Sequence, residues 1–528
     1  MKGKIWLCVL LFAALASVPF LVPHCGWVAL FAFIPLLKLA DLAANGQVKH
    51  KGWMVYLAFL LFNIATTFWI NWISVPGAAA AIGLNALQMW VIFMVFLWSR
   101  KYFKGGLSYL LLITMWIAWE RVYQNTEISW PWLILGNSLA TSPKLAQWYE
   151  FTGFLGGTLW IWLSNIFVYE TAKAIRRKSE NKYQTRQKVA LGIVTAILLI
   201  APPVASLIIY NNYQETDNPK EVVAVQPNID AYTEKHGGLS QDIQDNKMLG
   251  LVKDVVTDNT DYIITPETYT FQLNIDAPET NVTFDAVQNF LKDYPKANFI
   301  LGAITYELFP TKAKAPYNAR PIGNQWYCSY NTAMMIDTTG MRNFYHKSKL
   351  VPAVEIIPYQ KYLNFLGKFF ELFGGSISSY GVSDDVHNLT SKEGDQVGVM
   401  ICYESIYGEY YRRTAKYGAQ FTAVITNDGW WGDTPGYRQH FRFAKLRAIE
   451  TRRDVVHVAN TGISGFINQR GDVIQRTGWW EPVAINNIVN LNDKKTCYTV
   501  YGDVTGRICS FLFLLLFIAL LVRRLTSK

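Results

Sequence analysis

The sequence predicts a membrane protein in which a bundle of eight apolar helices is joined to one large α/β domain. The 528-residue chain is 51% hydrophobic and has a mean hydropathy of +0.12, which lies outside the usual range of soluble proteins. Most of this apolar content is gathered in long runs. Between residues 211 and 505 the runs become short and are separated by turns, a pattern typical of the strands and helices of a layered domain.

Eight apolar segments come close to the roughly 20 residues that cross a bilayer core. They cover residues 1–22, 27–43, 54–74, 79–98, 106–123, 149–169, 190–210 and 507–522. The first segment has the basic start of a signal peptide, but its apolar run is long and no small-residue cleavage pattern closes it. A second segment follows at once, so we interpret the first as a retained helix.

Lysine and arginine lie mainly in alternate loops between these segments. They are concentrated around residues 49–51, 100–104 and 173–188 and after residue 522, whereas the loops at 23–26 and 75–78 contain none. By the positive-inside rule both termini are cytoplasmic. The expected organisation is therefore seven spans in residues 1–210, an extracytoplasmic domain in 211–505, and an eighth span with a cytoplasmic tail in 506–528. The net charge of +10 is explained by topology, so we expect no nucleic-acid partner.

The six cysteines do not suggest a metal site. They stand at positions 8, 25, 328, 402, 497 and 509, with no CxxC pattern and no Cys/His spacing suited to zinc. We therefore expect neither a metal nor another cofactor. Whether Cys328 and Cys497 pair is left open by the sequence.

Short apolar runs in residues 211–505 predict seven strands, several of them apolar on both faces. The runs are Val222–Val225, Tyr262–Ile264, Asn298–Ile304, Asn331–Asp337, Val397–Ile401, Phe421–Thr426 and Val455–Ala459. Strands buried on both faces are typical of sheets covered by helices. We therefore predict an α/β layered domain.

Cys402 directly follows one of these strands and is followed by polar residues. A thiol at a strand end can project into a cleft, while the N–H groups of the next turn point to the same space and can hold an oxyanion. This pattern favours a nucleophile site. The alternative is that Cys402 is a small buried hydrophobic residue.

Two further charged residues lie at or near strand ends. Glu267 follows the strand Tyr262–Ile264, and Pro266 before it stiffens the backbone; a carboxylate there could act as a base. Lys347 has Glu355 a little beyond it, and a lysine near a thiolate would stabilise the thiolate and the developing oxyanion. Taken singly, each could also be an ordinary solvated loop residue.

An amphipathic helix is predicted from residue 362 to residue 373, ended by two glycines. One side carries four phenylalanines: Phe365, Phe369, Phe370 and Phe373. The helix either faces the core or forms a lid or arm that rests on the bilayer surface and contacts lipid.

Glu267, Lys347 and Cys402, in that chain order, resemble the Glu-Lys-Cys triad of the nitrilase superfamily. The surrounding motifs are similar to those of its membrane branch, the apolipoprotein N-acyltransferases. These motifs are Tyr345-His346-Lys347, Leu350-Val351-Pro352, Ile401-Cys402-Tyr403-Glu404, Asn427-Asp428-Gly429-Trp430-Trp431-Gly432 and Trp130-Pro131-Trp132-Leu133. The resemblance covers essentially the whole chain and implies an α-β-β-α sandwich for the extracytoplasmic domain.

The resemblance implies a two-step acyl transfer. Cys402 would take an acyl chain from a phospholipid as a thioester, and the α-amino group of an S-diacylglyceryl-cysteine at an apolipoprotein N-terminus would then receive it as an amide. Glu267 would be the base, Lys347 and the N–H of Tyr403 would stabilise the oxyanion, and Glu355 and Glu404 would orient the triad. It also implies a place in the bacterial inner membrane, with the catalytic domain facing the periplasm. Nothing in the sequence requires more than a monomer.

Two other functions are compatible with parts of the pattern. A membrane-tethered amidase or nitrilase would use the same triad to hydrolyse a small C–N substrate, but a soluble substrate requires neither eight spans nor a Phe-rich helix. A transporter or receptor would only bind its ligand, but its spans are expected to carry more buried charges and broken helices than these do. Phospholipid-dependent N-acylation is the leading hypothesis.

Overall fold

The structure, a computed structural model, describes residues 2–177, 182–235, 238–363, 379–383 and 386–527. The chain divides into two compact units. One comprises residues 1–68, 78–213 and 501–528 and is called the helical unit below. The other comprises residues 69–77 and 214–500 and is called the α/β unit.

Most of the helical unit consists of apolar helices. Its α-helices span Lys2–Leu21, Ala29–Ala32, Ile34–Ala44, Lys51–Thr67, Val75–Ser99, Leu107–Tyr123, Tyr149–Thr152, Phe154–Arg176, Lys182–Asn212 and Val504–Thr526. Within the described ranges, six segments are long and apolar enough to cross a membrane: Lys2–Leu21, Gly26–Ala44, Lys51–Trp72, Val75–Ser99, Lys182–Asn212 and Val504–Thr526. The other two predicted spans also contain helices, of 17 and 23 residues. The count of eight spans stays a prediction.

The predicted span at 149–169 is interrupted near its start. A single helical turn, Tyr149–Thr152, is separated from the long helix by Gly153, which has a φ of +64°. Glycine takes this left-handed conformation without steric cost, so the helix direction can change there. The main helix of this segment therefore runs from Phe154 to Arg176.

The helical unit buries one carboxylate and satisfies it internally. Glu120 accepts hydrogen bonds from Trp116 Nε1 (3.0 Å), Leu135 N (3.0 Å) and Thr158 Oγ1 (2.7 Å). Three donors offset the cost of removing a carboxylate from water. The polar residue that the sequence places at membrane depth is thus part of the packing of this unit.

The α/β unit contains two sheets. Its strands are β1 (Pro219–Gln226), β2 (Tyr262–Ile264), β3 (Thr270–Asn274), β4 (Asn298–Phe309), β5 (Arg320–Ile322), β6 (Gln325–Asp337), β7 (Gly340–His346), β8 (Leu389–Thr390), β9 (Gln396–Ile401), β10 (Phe421–Thr426), β11 (Val455–Ala459), β12 (Gly465–Ile467), β13 (Val473–Arg476) and β14 (Val483–Asn490). All seven predicted strands are confirmed. The larger sheet has the order β14-β1-β2-β4-β6-β5, with β3 beside β4 and β7 beside β6. The smaller has the order β13-β12-β11-β10-β9-β8.

The α/β unit also contains α-helices. They span Gln241–Lys253, Val282–Asp293, Gln360–Leu363, Gly408–Lys416, Pro435–Thr451 and Cys497–Tyr501. The first two pack on the larger sheet, where Met248 and Val287 join Val223 and Ile263 in one buried core. The helix Gly408–Lys416 packs so closely on β9 that a Cβ at Gly398 would lie 2.8 Å from the Thr414 side chain.

The two sheets face each other. The ring of Tyr262 on β2 lies 5.2 Å from that of Phe421 on β10, and helices lie on the outer sides. Strands β9, β10 and β11 are mutually parallel. All of their residues except Gln396 are buried, which explains why each is a mostly apolar run. The result is the α-β-β-α layering that the resemblance implied, with the carboxyl ends of these strands at one edge.

Candidate active site

The three residues of the predicted triad come together from both sheets. Glu267 lies three residues beyond β2, and Lys347 directly follows β7; both strands belong to the larger sheet. Cys402 directly follows β9 of the smaller sheet. All three side chains are buried. Residues that are more than 130 positions apart in sequence therefore share one site.

Lys347 is the centre of the charged part of this site. Its ammonium is fully buried and donates to Glu267 Oε1 (2.8 Å) and Glu355 Oε1 (2.9 Å). Burial lowers the pKa of Lys347, but the two carboxylates outweigh this effect and hold the pKa well above its ordinary value. Lys347 is thus a permanent cation.

Asn331 is a member of the site that sequence reasoning missed. Its Nδ2 donates to Glu267 Oε1 (2.7 Å) and Glu355 Oε1 (3.3 Å), and its carbonyl accepts from Lys347 N (2.8 Å). It therefore fixes both carboxylates relative to the lysine. The available signal was a polar residue at the start of the otherwise mostly apolar run Asn331–Asp337. We call Glu267, Asn331, Lys347 and Glu355 the charged cluster.

Cys402 is held in a strained backbone conformation next to this cluster. Its φ is +51°, in the left-handed region that non-glycine residues enter at a cost of about 1–2 kcal/mol. Burial and the Glu267 carboxylate raise the pKa of the Cys402 thiol well above its usual value, and Lys347 acts in the opposite direction. The resting thiol is therefore protonated at neutral pH and needs a base to become a nucleophile.

Glu404 joins the nucleophile turn to the segment that follows Lys347. Its Oε2 accepts from Ile401 N (2.9 Å), and its Oε1 accepts from Tyr345 Oη (2.7 Å), Ser348 N (2.6 Å) and Lys349 N (3.1 Å). Burial raises the pKa of Glu404, and these four donors oppose that shift. The side chain is fully buried, so its role is to hold two loops in register.

Glu355 and Tyr403 complete the set of predicted supporting residues. The second oxygen of Glu355 accepts from Val351 N (2.8 Å), which fixes the carboxylate that contacts Lys347. Tyr403 is buried directly after the nucleophile, and its ring packs edge-on against Tyr407 at 5.3 Å. The four lid residues Phe365, Phe369, Phe370 and Phe373 lie outside the described residues.

Lys235 is a second buried lysine beside Glu267, and no pattern in the sequence pointed to it. Its Nζ donates to Thr268 Oγ1 (3.0 Å) and to the Glu267 carbonyl oxygen (3.4 Å). Burial lowers the pKa of Lys235 to about 8, although Glu267 acts in the opposite direction. The lysine thus holds the backbone beside the Glu267 carboxylate, where Thr268 itself has a φ of +50°.

One group of side chains has the composition of a metal site. Ligand atoms of Asp428, His440 and His457 lie within 4.8 Å of one another. Both ring nitrogens of His440 already have hydrogen-bond partners, and so does one ring nitrogen of His457. Two ligand atoms remain, fewer than the four that a structural zinc site uses. The group therefore fits a hydrogen-bonded network better than a metal site.

The arrangement supplies the parts of a covalent acyl-transfer site. It contains a thiol on a strained turn, a carboxylate close enough to interact with that thiol, and a permanent cation that interacts with both. A base can take the thiol proton, and the cation can stabilise an oxyanion.

Two family models match the chain. A carbon-nitrogen hydrolase model matches residues 224–491, just over half of the chain, and a model of the apolipoprotein N-acyltransferase N-terminal domain matches residues 12–167. The first covers most of the α/β unit. The second lies in the part of the chain that forms most of the helical unit.

The chain is similar to curated proteins over nearly its whole length. It is 29% identical to an apolipoprotein N-acyltransferase of Chlorobaculum tepidum, covering 92% of this chain and 89% of the relative. It is 26% identical to one of Pasteurella multocida, covering 94% and 92%. Among solved structures, Saccharomyces cerevisiae Nit3, a member of branch 10 of the nitrilase superfamily, aligns with 55% of this chain and 96% of its own at 15% identity and a TM-score of 0.37. The carbon-nitrogen hydrolase match covers more than half of the chain and shows that the chain belongs to the carbon-nitrogen hydrolase family, and within that family the chain is similar to the apolipoprotein N-acyltransferases.

Proposed function

We propose that this protein transfers a fatty acyl chain from a phospholipid, through a thioester on Cys402, to the α-amino group of an S-diacylglyceryl-cysteine at an apolipoprotein N-terminus. The observation that carries the proposal is the convergence of Glu267, Lys347 and Cys402 in a chain that also matches the apolipoprotein N-acyltransferase N-terminal domain. A thioester keeps the acyl group activated, so two bulky lipid substrates can use the same small site in turn.

In the first step Glu267 accepts the thiol proton, and Cys402 Sγ attacks the ester carbonyl carbon. The developing oxyanion is stabilised by Lys347 and the N–H of Tyr403. The tetrahedral intermediate then collapses, the ester C–O bond breaks, and the lysophospholipid alkoxide leaves with the proton from Glu267. The acyl group remains on sulfur.

In the second step the acceptor amine, in its neutral form, attacks the thioester carbonyl. Glu267 takes the proton that the nitrogen loses, the C–S bond breaks, and the proton returns to the Cys402 sulfur. The product is an amide. Glu355, Asn331 and Glu404 hold Lys347 and the two loops in place during both steps.

We further propose the membrane arrangement that the charge distribution predicts. Eight spans place both termini in the cytoplasm, with residues 1–210 and 506–528 forming the membrane part and 211–505 the catalytic domain on the periplasmic side of a bacterial inner membrane. The six apolar helices and the one-sided loop charges support this membrane arrangement. We also propose that the protein acts as a monomer.

Intact mass of the purified protein tests the chemistry. The protein is incubated with a defined phospholipid and no acceptor, with Cys402→Ala as the control. A fatty-acyl mass gain that hydroxylamine removes, and that Cys402→Ala lacks, is the expected result. Absence of the adduct, with bound lipid and a reduced thiol demonstrated, would overturn the proposal and favour a small C–N substrate or a binding role.

A further inference from the structure

A second cluster of buried polar side chains holds the carbonyl group of Cys402. Ser405 Oγ donates to this oxygen at 2.8 Å, and His440 Nε2 lies 3.2 Å from the oxygen and 2.8 Å from Ser405 Oγ. On the other side of the ring, His440 Nδ1 lies within hydrogen-bond distance, 3.0 Å, of Asp428 Oδ1. The three side chains are at most 2% exposed. We call Ser405, Asp428 and His440 the peptide cluster.

The fold fixes His440 firmly in this position. Asp428 lies just beyond β10, the parallel neighbour of β9, so it is on the same sheet edge as Cys402. His440 comes from the helix Pro435–Thr451, which also packs on the smaller sheet. The rings of Trp431 and His457 lie edge-on to the His440 ring at 5.8 Å and 5.2 Å. The imidazole therefore has little freedom to turn.

Holding this carbonyl determines where the next N–H points. The described peptide bonds are all trans, and in a planar trans peptide the C=O and N–H groups point in opposite directions. The carbonyl of Cys402 and the N–H of Tyr403 belong to one such peptide. Tyr403 also lies in the first turn of the short helix Cys402–Ile406, and N–H groups in a first turn have no acceptor within their helix.

We propose that the peptide cluster orients the Cys402–Tyr403 peptide, so that the N–H of Tyr403 is aimed at the oxyanion of the tetrahedral intermediates. His440 and Ser405 are then positioning residues, because they touch neither substrate nor the reacting sulfur, and Asp428 positions His440. This inference rests on the proposed function and deepens it. It gives a chemical role to the Asn427–Gly432 motif, whose function the triad alone leaves unexplained.

The proposal separates two reactions of the same thiol. Acylation passes through an oxyanion and needs the Tyr403 N–H, whereas alkylation by iodoacetamide is a direct displacement at carbon that forms no oxyanion. Both need the thiol to lose its proton. Loss of one oxyanion donor typically slows a reaction by about 10²–10³-fold. A substitution that turns the Tyr403 N–H away from the oxyanion is therefore expected to slow acylation and to leave alkylation unchanged.

The test measures both rates on full-length protein in detergent. His440→Phe should slow thioester formation from a defined phospholipid by at least about tenfold while changing the iodoacetamide rate by less than about threefold. Ser405→Ala, which removes one donor and little volume, should show the same selectivity with a smaller effect. His440→Gln, whose amide can still donate near the Nε2 position, should recover part of the loss.

Thr451→Ala is the matched control, because it removes a buried hydroxyl from the last residue of the helix that carries His440, where Thr451 Oγ1 donates to the Arg447 carbonyl (2.8 Å). It should lower the melting temperature but leave the ratio of the two rates unchanged. Acylation and alkylation falling in parallel in both His440→Phe and Ser405→Ala would overturn the inference and leave a structural role only. Failure of the proposed function looks different, because the unmodified protein itself would then form no thioester.

Discussion

In the proposed mechanism the charged cluster and the peptide cluster both act on Cys402, but they are built from different parts of the fold. The charged cluster comes from strands and loops of the larger sheet and contains three ionisable groups linked through Lys347. The peptide cluster comes from the smaller sheet and its covering helix, the same layer that carries Cys402. The charged cluster therefore belongs to the sheet opposite Cys402, whereas the peptide cluster belongs to the same layer as Cys402.

This difference indicates a division of labour. Proton transfer and charge stabilisation need ionisable groups close to the reacting atoms, and these can be brought from a separate layer. The direction of a backbone N–H depends on the local peptide and is best fixed by groups rigidly attached to the same layer. Substitutions in the charged cluster should therefore affect every reaction of the thiol. Substitutions of His440 and Ser405 in the peptide cluster should affect only the reactions that form an oxyanion.

The largest effect is expected for Glu267→Gln, which removes the base. Thioester formation should fall by about 10³-fold, since general-base catalysis contributes about 10²–10⁴-fold. Alkylation by iodoacetamide should fall as well, because the loss of the base outweighs the lower thiol pKa that follows from removing the Glu267 charge. Glu279→Gln, on the exposed loop beyond β3, is the control. If alkylation stays near normal in Glu267→Gln, the charged cluster does not affect every reaction of the thiol, and the proposed difference between the two clusters is wrong.

Glu404→Gln should have the next largest effect, because Glu404 connects the Lys347 segment to the Cys402 turn. An amide cannot accept hydrogen bonds from all four donors, and each buried group that loses its partner costs about 1–3 kcal/mol. Both acylation and alkylation should fall by about 10- to 100-fold, with a lower melting temperature. Thermal unfolding and the two rates check this. Loss of acylation alone would place Glu404 with the peptide cluster instead.

These two clusters also show what the sequence could reveal. Cys402, Lys347 and Glu267 were found because buried strands are continuous apolar runs, and a polar residue at the end of such a run is conspicuous. The strand bounds followed from the same signal. The break at Gly153 was missed, because glycine within an apolar run is compatible with an uninterrupted helix.

Asn331 and Lys235 could not be found in this way. Asn331 lies inside a strand, where alternation alone does not tell which polar side chain faces a site. Lys235 lies in a loop, and its contact with Glu267 depends on tertiary packing across 32 positions. The proposed role of His440 depends on a contact with a carbonyl oxygen, and that of Asp428 on its contact with His440; no side-chain pattern in the sequence records either contact. Long-range geometry, rather than local propensity, decides these four positions.

Lys235→Met should have a smaller effect on both rates, because Lys235 contacts the charged cluster only through the backbone of Glu267. The backbone at Glu267 loses a donor, so acylation and alkylation should fall together, by about tenfold or less. The half-buried Lys247, which donates to the Asn228 carbonyl (3.1 Å), gives the matched control Lys247→Met. If Lys235→Met leaves the acylation and alkylation rates unchanged, Lys235 does not support Glu267.

The stability of Lys235→Met should also depend on pH in a defined direction. The folded-state pKa of Lys235 is about 8, below its unfolded value of about 10.4. Between these values the unfolded chain binds more protons, so the wild-type protein gains stability as pH rises from about 8 to 10. Lys235→Met lacks this gain. Melting temperatures of the two proteins at pH 7, 8.5 and 10 should therefore shift in favour of the wild type as pH rises.

Asp454→Asn should have the smallest effect on activity, because Asp454 precedes β11 and lies at the opposite edge of the smaller sheet from Cys402. Its effect is on stability. Burial raises the pKa of Asp454 to about 7, above its unfolded value of about 3.9. The folded state binds more protons between these values, so wild-type stability falls as pH rises from about 4 to 7, and the full cost persists above pH 7.

Asparagine removes this charge but introduces an amide where Asp454 Oδ1 has no hydrogen-bond partner among the described residues. At pH 8 the benefit of removing a buried charge, up to about 4 kcal/mol, should exceed the roughly 1–3 kcal/mol cost of the unpaired amide. Near pH 4 Asp454 is protonated in the folded wild type, so the substitution removes no charge and only the cost of the unpaired amide remains. Asp454→Asn should therefore melt higher than wild type at pH 8 and lower near pH 4, whereas the exposed Asp258→Asn should show no such reversal. Because Asp454→Asn leaves both clusters intact, its acylation and alkylation rates should equal those of the wild type at every pH where the protein is folded. A selective loss of acylation would mean that the orientation of the Tyr403 N–H depends on the whole smaller sheet.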